Sequence, residues 1–408
     1  MSNTLLSVPV EPRLKPMDWQ IGPEGLLELA ATADQMLQGV RESMLKPHPR
    51  KHAPDFSTTQ LATLCGLDRS RLSYLSTKGE LPAGTPHGNG RSRSFTLQEA
   101  RVWIQAEAKI PKRPTSQRGK TIVVSNFKGG STKTTTAMTL AQGLTLRGRR
   151  VLIVDLDPQA SLTTLCGLLP DAEISEDMTV MPLIYNDQSD LTYAVQNTYW
   201  DGMDLIPGAP GLFAAEFTIP HSVAANPGFQ FWDILRPAIQ ALATDYDVVI
   251  IDTPPSLSYL TINALMAADG LIMPLPPNAL DFASAAQYWN LFSDLTSSIQ
   301  RRNFEKRFDF INILLSRVNS QDASSTVVRD WIVSTYAAKV LPVEIPMTAA
   351  TSTTALEFAT VYDVSRWDGA AKTYTRARDA YDRLVEVIDQ KLMALWDQAE
   401  LDQPAGKE

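Results

Sequence analysis

Apolar residues recur early in the chain at the spacing of a helix. Leu26, Leu27, Leu29, Ala30, Ala33, Met36, Leu37 and Val40 predict an amphipathic helix over Gly25 to Glu42. Pro9, Pro12 and Pro16 keep the residues before it extended. Such a helix suits either a strut packed on its own domain or a dimerisation arm. A stretch of proline, histidine and basic residues from Lys46 to Pro54 then breaks the pattern, and Ile110 to Gly119 breaks it again. The breakers predict an arm over residues 1–49, a small domain over 50–118 and a large one over 119–408.

Past residue 120 the pattern changes to short apolar runs rich in β-branched residues, each followed by a turn and a helical stretch. The runs are Thr121–Asn126, Val151–Asp155, Met203–Pro207, Val248–Asp252, Gly270–Leu275 and Phe310–Leu315. Runs of this kind suit strands buried on both faces. Their alternation with helices predicts an α/β domain built on a doubly wound, mostly parallel sheet.

Composition changes this picture little, but charge changes it substantially. With 408 residues, 44% apolar and 20% charged, the chain has room for real cores and is a poor candidate for disorder or simple coiled coil. The formal charge of −8 argues at first against nucleic acid. It hides an asymmetry: residues 50–120 carry +8, residues 1–49 carry −2 and everything after 120 carries −14. A basic module joined to an acidic one favours nucleic-acid contact by the basic part. Cys65 and Cys166 stand about a hundred residues apart with no CxxC, and His48, His52, His87 and His221 are scattered, so neither a disulfide framework nor a zinc site is indicated. The start of the chain lacks a charged segment followed by an apolar core. No uninterrupted run of about 18 apolar residues occurs, so the chain reads as cytoplasmic with no membrane partner.

The strongest chemical signal is residues 122–144, IVVSNFKGGSTKTTTAMTLAQGL: a strand, a loop with two glycines, Lys133, Thr134 and a helix. A triphosphate needs converging backbone amides, a helix N-terminus, a lysine cation and a hydroxyl on Mg²⁺, and this segment offers all four. It fails the plain G-x-x-x-x-G-K-[ST] pattern, since Phe127 and Thr132 occupy the two glycine positions. It matches the deviant Walker A form K-G-G-x-x-K-[ST], with an extra lysine, Lys128. Two acidic stretches, Val151-Leu-Ile-Val-Asp-Leu-Asp-Pro-Gln-Ala160 and Val248-Val-Ile-Ile-Asp-Thr-Pro-Pro255, each end an apolar run.

These three motifs, in this order, resemble those of the ParA/MinD group of P-loop ATPases. The nucleotide-binding residues are then Lys128, Gly129, Gly130, Ser131, Thr132, Lys133, Thr134 and Thr135, with ATP or ADP and Mg²⁺ as ligands. Charge assigns the roles. Lys133 bridges the β- and γ-phosphates, Thr134 ligates the metal, Asp252 holds it through water, Asp155 supports the metal shell or switch, and Asp157 positions the attacking water. The resemblance implies that Lys128 reaches across a nucleotide sandwich homodimer to the partner's phosphates, acting in trans as an arginine finger does. Thr132 departs from members with glycine before the catalytic lysine, and slower turnover is the expected result. Leu205–Leu212 resembles another recurrent segment of the family, and Pro276–Asp281 is expected beside the nucleotide or the dimer face.

In the basic module, Leu61, Cys65, Leu67, Leu72 and Leu75 take interior positions, with Ala62 at a tight crossing and Gly66 at a turn. That is helix-turn-helix spacing. Asp68 caps the second helix and sets Arg69, Ser70, Arg71, Ser73 and Tyr74 on or near its exposed face. The next stretch looks like the wing of MerR-type domains, with Arg91 and Arg93 placed to meet phosphates. Cys65 serves as a small hydrophobe.

An amphipathic arm, a winged helix-turn-helix and a deviant Walker ATPase, in that order, resemble the long ParA proteins of plasmid-type partition systems. The resemblance implies an ATPase, weak alone, that dimerises with ATP and binds nucleoid DNA non-specifically. A ParB-type centromere-binding partner would stimulate it, and it would repress its own operon through a specific operator. Lys372, Arg376 and Arg378 are candidates for the non-specific DNA contact. MinD-like membrane cycling wants a basic amphipathic C-terminal helix, whereas Leu384–Leu401 turns acidic. The alternative reading is an ATP-regulated transcriptional repressor without a partition role.

Overall fold

A computed structural model describes residues 21–45, 50–87, 92–348, 358–364 and 371–401. The chain divides into two compact units, Met1–Lys51 and His52–Glu408. The first holds helix α1, Pro23–Leu45, which extends the expected helix by a few residues at each end. Its Leu26, Leu27, Leu29 and Met36 are exposed.

The second unit opens with the basic module. Strand β1, Phe56–Ser57, leads into α2, Thr58–Cys65, whose N-terminus is closed by a capping box between Ser57 and Gln60. Gly66 ends α2 with φ 64°, a left-handed conformation that glycine adopts without penalty. Asp68 caps α3, Arg69–Lys78, by accepting the Arg71 amide at 2.7 Å. Strands β2, Thr85–His87, and β3, Ser92–Phe95, pair antiparallel where a wing is expected, and β1 joins the other edge of β3. Helix α4, Leu97–Glu107, carries its own capping box, Thr96 with Glu99, and completes the module. Leu61, Ala62, Cys65, Leu72 and Leu75 are buried and Leu67 packs against them, as the spacing predicts. Burial, reinforced by Glu107, pushes the Cys65 thiol up to about 12.

Eight strands then form one sheet among the described residues. They are β4 (Lys120–Val124), β5 (Val151–Asp155), β6 (Gln196–Asn197), β7 (Met203–Ile206), β8 (Val248–Asp252), β9 (Gly270–Leu275), β10 (Phe310–Val318) and β11 (Val340–Pro346). The order is β11, β10, β9, β4, β8, β5, β7, β6, and every pair is parallel except the β6 edge. All six expected runs are strands, and β6 and β11 are additional.

Between and after the strands come α5 (Lys133–Thr145), α6 (Ser161–Leu165), α7 (Met181–Ile184), α8 (Ala215–Ala225), α9 (Arg236–Leu242), α10 (Tyr259–Ala267), α11 (Ala279–Gln300), α12 (Ala323–Tyr336) and α13 (Ala371–Leu401). Alternate strand residues point to opposite faces, so two cores form. Ile122, Ile153 and Ile250 pack with α5, α13 and the basic module, while Val123, Val154 and Ile251 pack with α8 to α12. The module therefore shares its core with one face of the sheet. Among the described residues, no helix is long and apolar enough to cross a membrane.

Candidate nucleotide site

The C-terminal ends of β4, β5 and β8, three neighbouring parallel strands, supply the site. From β4 the chain enters the loop Ser125–Thr132, anchored to the neighbouring strand β9. The Ser125 amide donates to the Ile272 carbonyl at 3.1 Å, and Asn126 Nδ2 donates to the Pro274 carbonyl at 2.8 Å. Asn126 Oδ1 accepts the Lys128 amide at 3.0 Å. Phe127, standing where the plain motif has glycine, packs on Tyr288 with ring centroids 4.4 Å apart. The departure from pattern is thus a core anchor.

Gly130 and Thr132 both have φ 73°. Glycine is at ease there, but Thr132 carries a Cβ into the left-handed region, a strain of about 1–2 kcal/mol. Its hydroxyl is buried without a hydrogen bond. No side chain caps α5, which leaves the first-turn amides to an anion.

Lys133 opens α5 and is only 7% exposed. Its Nζ folds back across the loop and donates to the Lys128 carbonyl at 3.2 Å. Burial lowers its pKa, and the charges of Asp252 and Asp157 work against that shift. Asp252, the last residue of β8, is fully buried, and neither carboxylate oxygen has a hydrogen-bond partner of regular geometry. Burial, then the neighbouring Asp155 charge, raise its pKa; the nearby Thr134 hydroxyl and Lys133 oppose them.

A buried carboxylate with two orphaned oxygens, beside a threonine hydroxyl and a lysine, is an incomplete site. The donor set is all oxygen, which suits Mg²⁺. Among the described residues, no three or more His, Cys, Asp or Glu side chains cluster to hold a metal.

Asp155, also fully buried, is engaged at both oxygens. Oδ2 accepts from the Thr163 amide at 2.9 Å and the Thr163 hydroxyl at 2.8 Å, and Oδ1 accepts the Asp157 amide at 3.2 Å. Its pKa is raised by burial and lowered in part by those bonds. The Thr163 hydroxyl in turn accepts the Gly208 amide at 2.8 Å, and a Cβ on Gly208 would stand 2.9 Å from Asp155 Cγ. Asp155 is thus held by Thr163, and Gly208 of the Leu205–Leu212 segment packs against the same pair. Asp157 is also buried, and its Oδ1 accepts the Gln159 amide at 2.9 Å.

Lys128 is half-buried and its carbonyl accepts from Ser131 Oγ at 3.0 Å as well as from Lys133. Asp281, in the first turn of α11, is buried; its pKa is raised by burial and drawn back by Lys128, Asn278 and Arg317. Arg317 Nη1 donates to the Gly130 carbonyl and Ser316 Oγ to the Ser131 carbonyl, each at 3.2 Å. The structure thus brings together Lys128 through Thr134, Asp155, Asp157 and Asp252. Thr163, Ser316 and Arg317 are partners that no motif marks, while Gly208 lies in the Leu205–Leu212 segment.

The basic-module candidates lie as expected: Arg69, Ser70, Arg71, Ser73 and Tyr74 are exposed on α3. Arg71 and Lys78 flank the Tyr74 ring at 5.8 and 5.2 Å, and Arg69 bonds the Thr59 hydroxyl. Arg93 donates to the Ala83 carbonyl at 2.6 Å; Arg91 lies outside the described residues. On α13, Lys372 and Arg376 are exposed side by side. Arg378 does not share that face, contrary to the expectation of an exposed cation. It turns inward, 4.0 Å over the Tyr362 ring and 3.2 Å from Asp382, because six residues along a helix is a turn of about 240°, away from the Lys372 face.

The AAA domain family model matches residues 119–306. A protein of Rhizobium rhizogenes described as a replication protein A is 31% identical over 92% of this chain and 96% of its own. Protein SopA of Escherichia coli K12 is 30% identical over 69% of this chain and 73% of SopA. The chromosome partitioning protein ParA of Myxococcus xanthus is 39% identical over 38% of this chain and 52% of its own.

The chain belongs to the ParA family of partition ATPases.

Two solved structures share the ParA-family fold. One, described as a partition protein, superposes with a TM-score of 0.64 at 21% identity, covering 91% of this chain and 98% of that one. The other is cobyrinic acid a,c-diamide synthase from Mycobacterium smegmatis with bound ATP analog and magnesium, with a TM-score of 0.52 at 28% identity, covering 66% and 94%.

Proposed function

We propose that this ParA-family chain hydrolyses ATP with Mg²⁺, dimerises around the nucleotide, and couples turnover to the holding and release of DNA. The observation that carries the reading is Asp252, whose orphaned carboxylate stands beside Lys133 and Thr134 at the head of an uncapped helix.

The residues divide the work. Lys133 exchanges the Lys128 carbonyl for the β- and γ-phosphates, which compensate the charge that burial penalises. The α5 amides and Gly129–Gly130 cradle the phosphate oxygens. Thr134 and Asp252 would hold Mg²⁺, Asp252 through water, and the ion would supply positive charge against the negative charge of the phosphates. Asp155, pinned by Thr163, keeps β5 and the loop over it in register. Asp157 orients the attacking water, and Lys128 supplies a cation to the partner's phosphates in the dimer.

Exposed Arg71, Tyr74 and Lys78 on α3 support a DNA-reading role for the basic module, with the β2–β3 hairpin as its wing. Lys372 and Arg376 support weak, salt-sensitive contact with non-specific DNA. A ParB-type partner stimulates hydrolysis, and operator binding gives autorepression. The test is ATP turnover of the full chain alone, with DNA, and with the product of the adjacent gene. Stimulation by DNA and that product supports partition. Operator binding without any stimulation would favour the repressor.

A further inference from the structure

A cleft of about 330 Å³ opens at the far end of α5, between the linker Ala108–Arg113 and the turn Arg147–Arg150. It lies about 20 Å, the length of α5, from the nucleotide site. Lys112, Arg113, Arg147, Arg149 and Arg150 line it, and Asp247 is the one carboxylate in its wall.

Ion pairs account for only part of this charge. Arg113 meets Asp247 at 2.9 Å, Arg147 and Arg149 share buried Asp389 at 2.6 and 2.7 Å, and Arg150 stands 3.7 Å from Asp204. Lys112 makes no salt bridge among the described residues. Five cations therefore face three carboxylates in a domain that is acidic overall.

Arg149 adds a second, independent observation. It is 3% exposed, with Nε on Asp389 and Nη1 on the Pro111 carbonyl at 2.8 Å, while Nη2 is buried with no hydrogen-bond partner. The same guanidinium stands 5.3 Å from the Trp396 ring centroid, and a buried guanidinium donor without an acceptor, in a residue that lines a cation-rich cleft, is costly. The Arg150 side chain, 57% exposed and stacked 4.7 Å from the Tyr246 ring centroid, stands at the mouth.

We propose that this cleft is a second anion site, which binds a phosphate group independently of the nucleotide site. Planar guanidinium groups match phosphate oxygens. The phosphate can belong to a DNA backbone or to a free oligophosphate.

The experiment uses the full chain carrying Lys133→Ala, which disables the phosphate lysine of the nucleotide site, and titrates inorganic pyrophosphate by calorimetry at low salt. The expected result is one remaining site that Lys112→Gln with Arg150→Gln weakens about tenfold or more, with the melting temperature unchanged. Both positions are at the surface, which leaves the Arg149–Asp389 pair intact. Should Lys133→Ala unfold, the wild-type chain titrated with pyrophosphate answers the same question: two sites, one sensitive to the double substitution, support the proposal. Absence of the second site, or a site indifferent to the double substitution, overturns it. A short DNA duplex then identifies the source: displacement of pyrophosphate assigns a backbone phosphate, and no displacement assigns a free anion.

Discussion

Arg101 on α4 and Asp201, just before β7, meet Nε to Oδ2 at 2.8 Å and fasten the basic module to the sheet. Arg101 Nη1 also donates to the carbonyls of Thr145 at 2.6 Å and Arg149 at 3.1 Å, gripping the end of α5. Gly202 is small because a Cβ there would stand 2.1 Å from the guanidinium carbon. Asp201 is 44% exposed, so the ion pair itself is screened and most of the effect lies in the carbonyls. Arg101→Ala is expected to destabilise the chain by about 2–3 kcal/mol. Denaturant unfolding measures the loss, and faster proteolysis within residues 109–117 should accompany it.

Asp252→Asn should act in opposite directions with and without ligand. In the free chain the substitution removes a buried carboxylate that Asp155 repels, so stability rises by about 1–3 kcal/mol. With Mg²⁺ and ATP the metal contact is weakened and the ligand-induced rise in melting temperature shrinks. Thermal melts in chelator and in Mg²⁺ with ATP read both effects. A variant that melts lower in chelator, or keeps the full ligand shift, contradicts the assignment.

Lys306 gives a pH dependence far from the phosphate loop. Its amine sits 4.3 Å from the Phe308 ring centroid, donates to the Met266 carbonyl at 3.1 Å and also bonds the Ala268 carbonyl. Burial pushes its pKa down to about 8 from 10.5, although Asp269 and Asp309 oppose the shift. Between those values the unfolded chain holds a proton that the folded chain has lost, so stability rises with pH, by at most about 1.4 kcal/mol per unit. Relative to Lys306→Met, the wild-type chain should therefore gain stability between about pH 8 and pH 10. Denaturant unfolding of both at several pH values checks the sign.

The strands buried on both faces were legible residue by residue: Val151–Asp155, Val248–Asp252 and Gly270–Leu275 are unbroken apolar runs ended by turns. β11 was not, because Pro342 and Glu344 interrupt Val340–Pro346 at a sheet edge where one face meets solvent. The phosphate loop was legible through chemistry that demands particular residues at fixed spacing. Its supports were legible only in part: the Leu205–Leu212 segment that holds Gly208 stood out, but Thr163 and Gly208 reach Asp155 only after the chain folds. Arg317 escapes notice for a further reason: neither its φ of 52° nor its bond to the Gly130 carbonyl leaves a mark in the sequence. On α13, charge alone suggested Arg378 as a surface group, but the helical angle turned it toward Tyr362 and Asp382.

If Lys133, Thr134 and Asp252 form a Mg²⁺-dependent ATP site, equilibrium ATP binding to the wild-type chain and to Lys133→Ala, with and without Mg²⁺, must separate the two. Wild-type binding is expected to strengthen with Mg²⁺, and the variant to lose about a hundredfold or more in affinity. Equal ATP affinity in a folded Lys133→Ala chain would contradict such a site.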